Sequence, residues 1–349
     1  MVIYYLIFLL LIIFFIYGES QSGLENLLLF LGATIFTIFA GIKDLNVSHD
    51  GMNYAYMFDG VNFYSDYFNN SYDVMTVLIA VTLKYLNIYS YLLIFIIYAI
   101  LGVFLKIKAI SKYSVLPLFS CIFYFIHFYL LHEMTQIRVG VATAILLLSV
   151  SDIYDKNLLK FLFKVLLAFL FHSSALVFIP LYFINTKKIN VWLYLTGLIF
   201  AIIFSFIGIN IFYIIPNLSS ISNKLFIYQA LQNTMQEVNL FNVNNIFYIL
   251  LFLILLFFSN TLLEINKYSI IMLKMLYFSF ISLFVLSKIP VLAWRISEIF
   301  MVSSFIVISY IPFLIKPKWF SIAMLILIAS LFLTLNLFRQ HLVYQYHIL

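Results

Sequence analysis

The chain has 349 residues, of which 65% are hydrophobic, 20% aromatic and only 9% charged, whereas about 25% of the residues of a soluble protein are charged. This composition excludes a soluble globular protein and predicts an all-α polytopic membrane protein, because helices satisfy their own backbone hydrogen bonds in hydrocarbon. The net charge of +6 is explained by the excess of Lys and Arg that cytoplasmic loops of membrane proteins carry. No basic run is dense enough to indicate a nucleic-acid partner. The single cysteine, Cys121, excludes an intrachain disulfide and a cysteine-built metal site, and no cofactor is expected.

In chain order, apolar runs of about 20 residues recur, each long enough to cross a hydrocarbon layer of about 30 Å as a helix. We predict about eleven transmembrane segments plus a re-entrant hairpin, with residues 1–349 forming a single membrane-embedded domain. Polar stretches at residues 43–72 and 210–245 predict two long external loops. The candidate spans are Val2–Tyr17, Leu27–Ile42, Ile88–Leu105, Val115–Leu131, Ile137–Val150, Leu158–Ile184, Val191–Ile209, Ile246–Phe258, Tyr268–Leu286, Ser297–Ile315 and Phe320–Leu337.

The orientation in the membrane follows from the lysines, because short cytoplasmic loops carry an excess of Lys and Arg. Three lysines after the third span place that connection inside, and the 43–72 loop therefore outside. If Leu158–Ile184 crossed the membrane once, five later lysines would lie outside, against this rule. A re-entrant hairpin with its tip near His172 keeps them inside and places Arg138 and Arg295 outside. The lysines concerned are Lys106, Lys108 and Lys112, and then Lys187, Lys188, Lys267, Lys316 and Lys318.

Four polar motifs gather on the predicted outer side, and they are Asp50–Tyr54, Gln136–Arg138, His172–Leu176 and Trp294–Glu298. An unpaired arginine in hydrocarbon costs about 2.5–3.5 kcal/mol, so we predict that Arg138 faces a water-filled cavity and binds an anion. A simpler alternative exists for each motif. Both arginines can form structural ion pairs with Glu133, Glu298 or Asp50. His172 can bond a neighbouring helix, and Asp50-Gly51 can be a turn.

Five short sequence features follow one another along the chain, each occurring once. They are DGMNY at 50–54, Asp73 before a short apolar helix, QIRVGVA at 136–142, FHSSAL at 171–176 and WRISE at 294–298. In this order the chain resembles the EpsG family of Wzy-like polysaccharide polymerases. The resemblance implies a GT-C-like glycosyltransferase of the bacterial inner (cytoplasmic) membrane whose active site faces the periplasm. Such an enzyme polymerises undecaprenyl-diphosphate-linked oligosaccharide repeat units into the O-antigen of lipopolysaccharide or a related surface polysaccharide.

The leaving group of the implied reaction is a diphosphate. Guanidinium groups bind phosphate oxygens bidentately and stay protonated at any relevant pH. Arg138 and Arg295 are therefore the predicted ligands of the diphosphate, with Glu133 and Glu298 orienting them. This arrangement requires no metal ion, and no cluster of metal ligands is visible in the sequence.

The acceptor hydroxyl of the implied reaction must lose its proton to a nearby base. Asp50 and His172 are both candidates for this base, and the sequence does not choose between them. Tyr54, Gln136 and Ser173 complete the predicted set of substrate-binding residues. The predicted partners are the lipid-linked donor and acceptor, membrane lipid and, as a candidate, a chain-length regulator protein.

Other functions fit parts of the same pattern. An O-antigen ligase uses the same donor chemistry, and a transporter (flippase) of the lipid-linked oligosaccharide also needs a cationic cavity. A membrane acyltransferase with His172 as its base is a further alternative, although its donor does not require two arginines. The plainest alternative is a structural membrane subunit that carries out no chemistry.

Overall fold

The computed structural model describes residues 1–21, 23–66, 72–208, 230 and 238–348. Within these ranges the chain is helical, and its β pairing is limited to one isolated bridge between Lys43 and Ile348. The predicted all-α class is therefore confirmed for the described residues. The chain divides into two compact units, Met1–Ile179 with Ile308–Leu349, and Pro180–Val307. The single membrane-embedded domain stays a prediction.

The α-helices are numbered here in chain order, and a π-helix, Tyr124–Glu133, and a 3-10 helix, Ser173–Phe183, interrupt the series. The α-helices are α1 (Val2–Ser20), α2 (Glu25–Gly41), α3 (Gly51–Gly60), α4 (Val74–Tyr85), α5 (Leu92–Tyr113), α6 (Pro117–Phe123), α7 (Ile137–Leu148), α8 (Val150–Tyr154), α9 (Leu158–Phe171), α10 (Val191–Ile207), α11 (Val243–Phe257), α12 (Ser259–Ile265), α13 (Ser269–Val285), α14 (Pro290–Met301), α15 (Ser304–Val307), α16 (Ile311–Leu314) and α17 (Lys318–Phe338).

The number of membrane-spanning helices is smaller than predicted. Five helical stretches in the described ranges are long and apolar enough to span a membrane, and a sixth results if α11 and α12, bent by 83°, count as one span. They are Val2–Ser20, Leu92–Tyr113, Ile137–Tyr154, Pro290–Leu314 and Lys318–Phe338. The predicted count of about eleven is therefore not supported. The physical reason is that apolar sequence continues through breaks in helices, as at Val115–Leu131, which divides into α6 and the π-helix.

The two predicted loops differ from the structure in different ways. The 43–72 stretch is not a continuous loop, because it contains α3 and a short 3-10 turn, Leu45–Val47. Most of the predicted 210–245 loop lies outside the described residues.

Helix α5 corrects one part of the orientation argument. The predicted third span ends at Leu105, but the helix continues through the three lysines that follow and ends at Tyr113. Lys106 is fully buried and forms an ion pair with Glu133. It is therefore an interior residue rather than part of a cytoplasmic loop, while Lys108 and Lys112 are exposed on the last two turns of the helix.

The chain reverses direction at His172, where the sequence predicts the tip of a hairpin. Helix α9 ends at Phe171, His172 is extended, and the 3-10 helix begins at Ser173. The rings of Phe161 and Phe178 stack with centroids 6.5 Å apart, although about 16 Å of helix separates Phe161 from the break at about 1.5 Å per residue. The two rings meet because the 3-10 helix folds back along α9. That this hairpin is re-entrant in the membrane stays a prediction.

The second unit has a buried lysine of its own. Lys274 lies in α13, and its ammonium group donates to the backbone oxygens of Asn185 at 2.6 Å and Lys188 at 2.7 Å. The residues before α10 are therefore tied to α13 by a buried cation.

Candidate functional site

An acid, an arginine and a histidine meet in the first unit. Arg138 Nη1 donates to Asp73 Oδ2 at 2.7 Å, and His172 Nδ1 lies 3.4 Å from the same oxygen. Asp73 precedes the first turn of α4, Arg138 lies in the first turn of α7, and His172 is the extended residue after α9. Three helix ends therefore bring together residues that are far apart in the sequence. The structure brings two of the candidate residues, Arg138 and His172, together through a carboxylate that was not among the predicted site residues.

Of these three side chains, only that of Arg138 is substantially exposed to solvent. The side chain of Arg138 is 29% exposed, whereas those of Asp73 and His172 are 4% and 9% exposed. A guanidinium group has five N–H donors, and the bond to Asp73 uses one of them. The Nε atom of Arg138 is buried and has no hydrogen-bond partner among the described residues. Asp73 thus neutralises the arginine while leaving it donors with which to bind a further anion.

Helix α3 forms one wall of the cluster through Tyr54. The guanidinium carbon of Arg138 lies 5.6 Å from the centroid of the buried Tyr54 ring, a cation–π distance. Burial raises the pKa of Tyr54, and the neighbouring Arg138 partly opposes this shift. The phenol is therefore neutral near pH 7 and presents a hydroxyl group and an aromatic face.

Asp50 and Gly51 begin the same helix. The Tyr54 amide donates to the Asp50 carbonyl at 3.1 Å, which places Asp50 one turn before the ring. Its partly exposed carboxylate makes no capping hydrogen bond to the helix. A β-carbon at position 51 would overlap the backbone oxygen of Leu45. A glycine is therefore needed for this close approach, and the motif is both a turn, as the simpler alternative predicted, and one edge of the candidate site.

Glu133 does not have its predicted role. Its buried carboxylate binds Lys106 and accepts a hydrogen bond from the Tyr124 hydroxyl at 3.0 Å. The same lysine also donates to the Gly140 carbonyl at 2.9 Å. The predicted orientation of Arg138 by Glu133 is therefore corrected, because Asp73 occupies that position. The signal for Glu133 was a charge in an apolar run, which does not distinguish a ligand from a structural ion pair.

The glycine of the QIRVGVA motif belongs to this ion pair. A β-carbon at Gly140 would crowd the Glu133 carboxylate, and one at Gly102 of α5 would overlap it. Both glycines thus make room for a charged side chain between α5 and α7. We conclude that this part of the motif maintains a buried ion pair, while Arg138 two residues earlier lies in the candidate site.

Gln136 and Ser173 lie beside the cluster. Gln136 precedes α7 and accepts a hydrogen bond from the Gly140 amide through its backbone oxygen at 3.0 Å. Its side chain is half-buried, as is that of Ser173, the residue that follows His172. Their places next to Arg138 and His172 in the chain are those expected of substrate-binding residues, and that role stays a prediction.

Arg295 and Glu298 lie in α14 of the second unit, three residues apart and so on one face of the helix. Arg295 is close enough to Glu298 for an electrostatic interaction, and the orientation of Arg295 by Glu298 stays a prediction. Ser297, between them in sequence, bonds Ser279 of α13 at 2.9 Å. The convergence of Arg295 with Arg138 in one site stays a prediction.

Asp73 is the residue that the site prediction omitted. Its signal in the sequence was an acid immediately before a short apolar helix. Acids are common at helix N-termini, where they cap backbone amides, so the signal alone indicates no chemistry. Within the described ranges, no group of three His, Cys, Asp or Glu side chains is placed to hold a metal ion.

Comparison with known proteins places the chain in a family. The model of the EpsG family matches residues 26–347, a range that contains the whole second unit, most of the first and every motif described above. No curated protein and no solved structure matches the chain, and the GT-C-like fold stays a prediction. Since the family model covers nearly the whole chain, the protein belongs to the EpsG family.

Proposed function

We propose that this protein polymerises undecaprenyl-diphosphate-linked oligosaccharide repeat units into O-antigen or a related surface polysaccharide. The reaction would take place at the outer face of the bacterial inner membrane. Membership of the EpsG family and the membrane-spanning helices support a role in polysaccharide synthesis at a membrane. The observation that carries the proposal is a partly exposed Arg138, oriented by Asp73 and placed beside His172 and Tyr54.

Arg138 is proposed to bind the departing diphosphate. The bond to Asp73 fixes one side of the planar guanidinium group, and the remaining donors can bind two phosphate oxygens in parallel. Such a preoriented group acts where negative charge grows in the transition state, and removal of one comparable donor costs about 2.7–4 kcal/mol in a well-studied protease. Arg295, supported by Glu298, is proposed as the second diphosphate ligand. With two guanidinium groups, the reaction needs no metal ion.

His172 is the base that the geometry supports better. The acceptor hydroxyl oxygen forms a bond to the anomeric carbon of the donor as the bond from that carbon to the diphosphate oxygen breaks. The hydroxyl proton passes to the base, and the diphosphate departs with the bonding electron pair. A carboxylate at Nδ1 orients an imidazole so that Nε2 accepts a proton, and Asp73 lies 3.4 Å from His172 Nδ1. Asp50 remains the second candidate for the base.

The other residues around the cluster suit a carbohydrate. Tyr54 offers a neutral hydroxyl and an aromatic face, and Gln136 and Ser173 offer polar groups for sugar hydroxyls. Long apolar helices such as α5 and α17 provide surfaces for the polyprenyl chain of the lipid. We propose membrane lipid and the lipid-linked donor and acceptor as partners, and a chain-length regulator protein as a further one.

A transporter of the same lipid is the second candidate function. Transporters build their substrate sites from discontinuous helices, and each unit contains such a break. The first is the reversal at His172, and the second is the 83° bend between α11 and α12. A transporter would move the lipid-linked oligosaccharide across the bilayer without changing its length.

An assay with purified protein in lipid nanodiscs tests the proposal. A defined undecaprenyl-diphosphate-linked repeat is added, and products are separated by length on a gel. We expect a ladder of longer glycans, greatly reduced for Arg138→Lys because the ammonium group cannot bind two oxygens in parallel. Arg339→Lys makes the same change at an exposed arginine after α17 and serves as the control. Absence of chain growth, together with movement of labelled lipid across vesicles, would support the transporter instead.

The phenotype of a host that lacks the gene distinguishes a polymerase from a ligase. Loss of a polymerase leaves the lipopolysaccharide core bearing one repeat unit, whereas loss of a ligase leaves the core bare. We expect single-repeat core, with long chains restored by the wild-type protein and by Arg339→Lys but not by Arg138→Lys. Bare core in the deletion host would show that the protein is a ligase.

A further inference from the structure

The residues after α17 form an extended strap, defined here as residues 341–348. The strap pairs with residues 43–49, which lead into α3. The Asp44 amide donates to the His347 carbonyl at 2.9 Å, and the Tyr344 amide donates to the Val47 carbonyl at 2.8 Å. Lys43 and Ile348 form the isolated β-bridge, and Val343 is fully buried. The strap is therefore part of the folded first unit.

Side chains lock the strap to the residue before Asp50. His49 Nε2 lies 2.7 Å from the His341 carbonyl, and His49 Nδ1 lies 3.1 Å from the Tyr344 hydroxyl. Because a carbonyl oxygen only accepts, Nε2 carries the hydrogen, and Nδ1 accepts from the tyrosine. Both nitrogens of His49 thus bind the strap, which fixes the backbone at the start of α3.

The strap is also attached to the turn before α7. The Thr135 hydroxyl lies 3.1 Å from the Leu342 carbonyl and 3.3 Å from the Leu130 carbonyl, so its hydrogen is shared between the strap and the preceding turn. Thr135 lies three residues before Arg138. Nearby, the Tyr346 ring stacks on Phe39 with centroids 3.9 Å apart, and its hydroxyl donates to the Phe39 carbonyl at 3.0 Å. One short segment therefore contacts the residue directly before Asp50 and the turn that leads into the helix of Arg138.

We propose that the strap positions the two sides of the candidate site. The positioning residues are Tyr344 on the strap and Thr135 on the turn that the strap contacts. The strap joins the segment that carries Asp50 and Tyr54 to the segment that carries Arg138, and neither His49 nor Thr135, the residues whose side chains make these contacts, lies in a helix. Displacement of a reacting group by about 1 Å can lower a reaction rate by about 100-fold. The proposal rests on the proposed function, because Arg138 and Tyr54 are the residues being positioned.

Thr135 provides a matched pair of variants. Thr135→Val removes the hydroxyl group but keeps the shape, and Thr135→Ser keeps the hydroxyl group. In the chain-growth assay we expect Thr135→Val and Tyr344→Phe to lower kcat/KM by about 2- to 10-fold each, the range for one lost hydrogen bond, mainly through kcat. Thr135→Ser should restore activity to within about twofold. Tyr5→Phe, which removes a tyrosine hydroxyl bonded to Thr334 instead, is the control, and equal losses in this control would overturn the proposal.

A labelling experiment tests the strap without relying on activity. Val47 is buried beside Tyr344, and the native Cys121 can be replaced by serine. In this background, Val47→Cys should react slowly with a membrane-impermeant maleimide in the full chain. It should react at least about 10-fold faster in a chain that ends at Gln340, because position 47 then loses its backbone partner.

The outcomes separate the two proposals. Fast labelling of the shortened chain with full chain growth would overturn the positioning role and leave the polymerase intact. No chain growth by the wild-type protein, with slow labelling of the full chain, would overturn the proposed function while confirming that the strap is docked. If the shortened chain aggregates on size exclusion, Thr135→Val against Thr135→Ser decides the positioning role alone.

Discussion

Asp73 Oδ2 accepts a hydrogen bond from Arg138 Nη1 at 2.7 Å, across 65 positions of sequence. The carboxylate is almost fully buried, while nearly a third of the arginine side chain is exposed. The pair therefore neutralises a cation in apolar surroundings without enclosing it. An arginine held in this way is stable without a ligand and can still bind one, which a fully buried ion pair could not do.

The first prediction concerns Asp73. Asp73→Asn keeps the shape but removes the charge that orients Arg138 and faces His172. We expect chain growth to fall by about 100-fold, the usual effect of losing one preoriented electrostatic contact, and Asp73→Glu to retain part of the activity. The rate of product formation in nanodiscs measures the effect. Asp66→Asn, at a carboxylate that accepts hydrogen bonds from the amides of Asn62 and Phe63, is the control, and wild-type rates for Asp73→Asn would exclude Asp73 from the site.

The second prediction concerns the buried pair of Lys106 and Glu133. Glu133→Gln or Lys106→Met leaves one buried charge without its partner, which costs about 3–5 kcal/mol in well-studied proteins. The double variant should lose much less than the sum of the two, because no unpaired charge remains. The midpoint of unfolding in detergent measures these changes.

An exposed ion pair supplies the control for that experiment. Lys318 and Glu19 lie 3.1 Å apart, with side chains 42% and 41% exposed. Exposed pairs contribute about 0.2–1 kcal/mol, so Glu19→Gln and Lys318→Met should shift the midpoint little. If Glu133→Gln were as mild as Glu19→Gln, the pair would have no structural role.

The Asp73–Arg138 and Lys106–Glu133 ion pairs could not be predicted from the sequence. The composition predicts helices and a membrane, because few other structures can bury so many apolar side chains. It does not predict that Asp73 binds Arg138 or that Lys106 binds Glu133, because pairing over 65 and 27 positions leaves no periodic signal in the sequence. The lysine count even placed Lys106 in a loop, since an isolated charge after an apolar run resembles the end of a span.

Helix breaks show the same limit in a different form. The reversal at His172 could be predicted, because His-Ser-Ser interrupts an apolar run and because single crossing would misplace later lysines. The π-helix after Phe123 could not, because no glycine, charged residue or internal proline separates it from α6. The bend after Phe257 lies at the predicted end of a span, where Ser259, Asn260 and Thr261 follow, but its angle of 83° leaves no signal in the sequence. Val115–Leu131, an apolar run that contains such a break, was therefore predicted as one continuous span.

The third prediction is a pH dependence of stability caused by Lys43. Burial lowers the pKa of Lys43 from its usual 10.5 to about 7, with Glu133 partly opposing the shift. Between these values the unfolded chain binds more protons than the folded chain, so this group makes stability rise as pH increases from about 7 to about 10. Lys43→Met should flatten that rise in the unfolding midpoint. Lys160→Met, at an exposed lysine, reports the effect of losing a lysine as such, and an unchanged slope for Lys43→Met would contradict the assignment.

The fourth prediction concerns the side of the membrane on which Lys187 lies. If the reversal at His172 is a re-entrant hairpin, the chain returns to the inner face, and the exposed Lys187 lies in the cytoplasm. In the Cys121→Ser background, Lys187→Cys should then react with a membrane-impermeant maleimide only after the membrane is permeabilised. Asn46→Cys, in the segment predicted to lie outside, should react in intact cells. The charge bias of cytoplasmic loops supports this orientation.

Labelling of position 187 in intact cells would instead require α9 and the following 3-10 helix to cross the membrane once. Arg295 would then be displaced from the side that carries Arg138, and the two-arginine mechanism would fail with it.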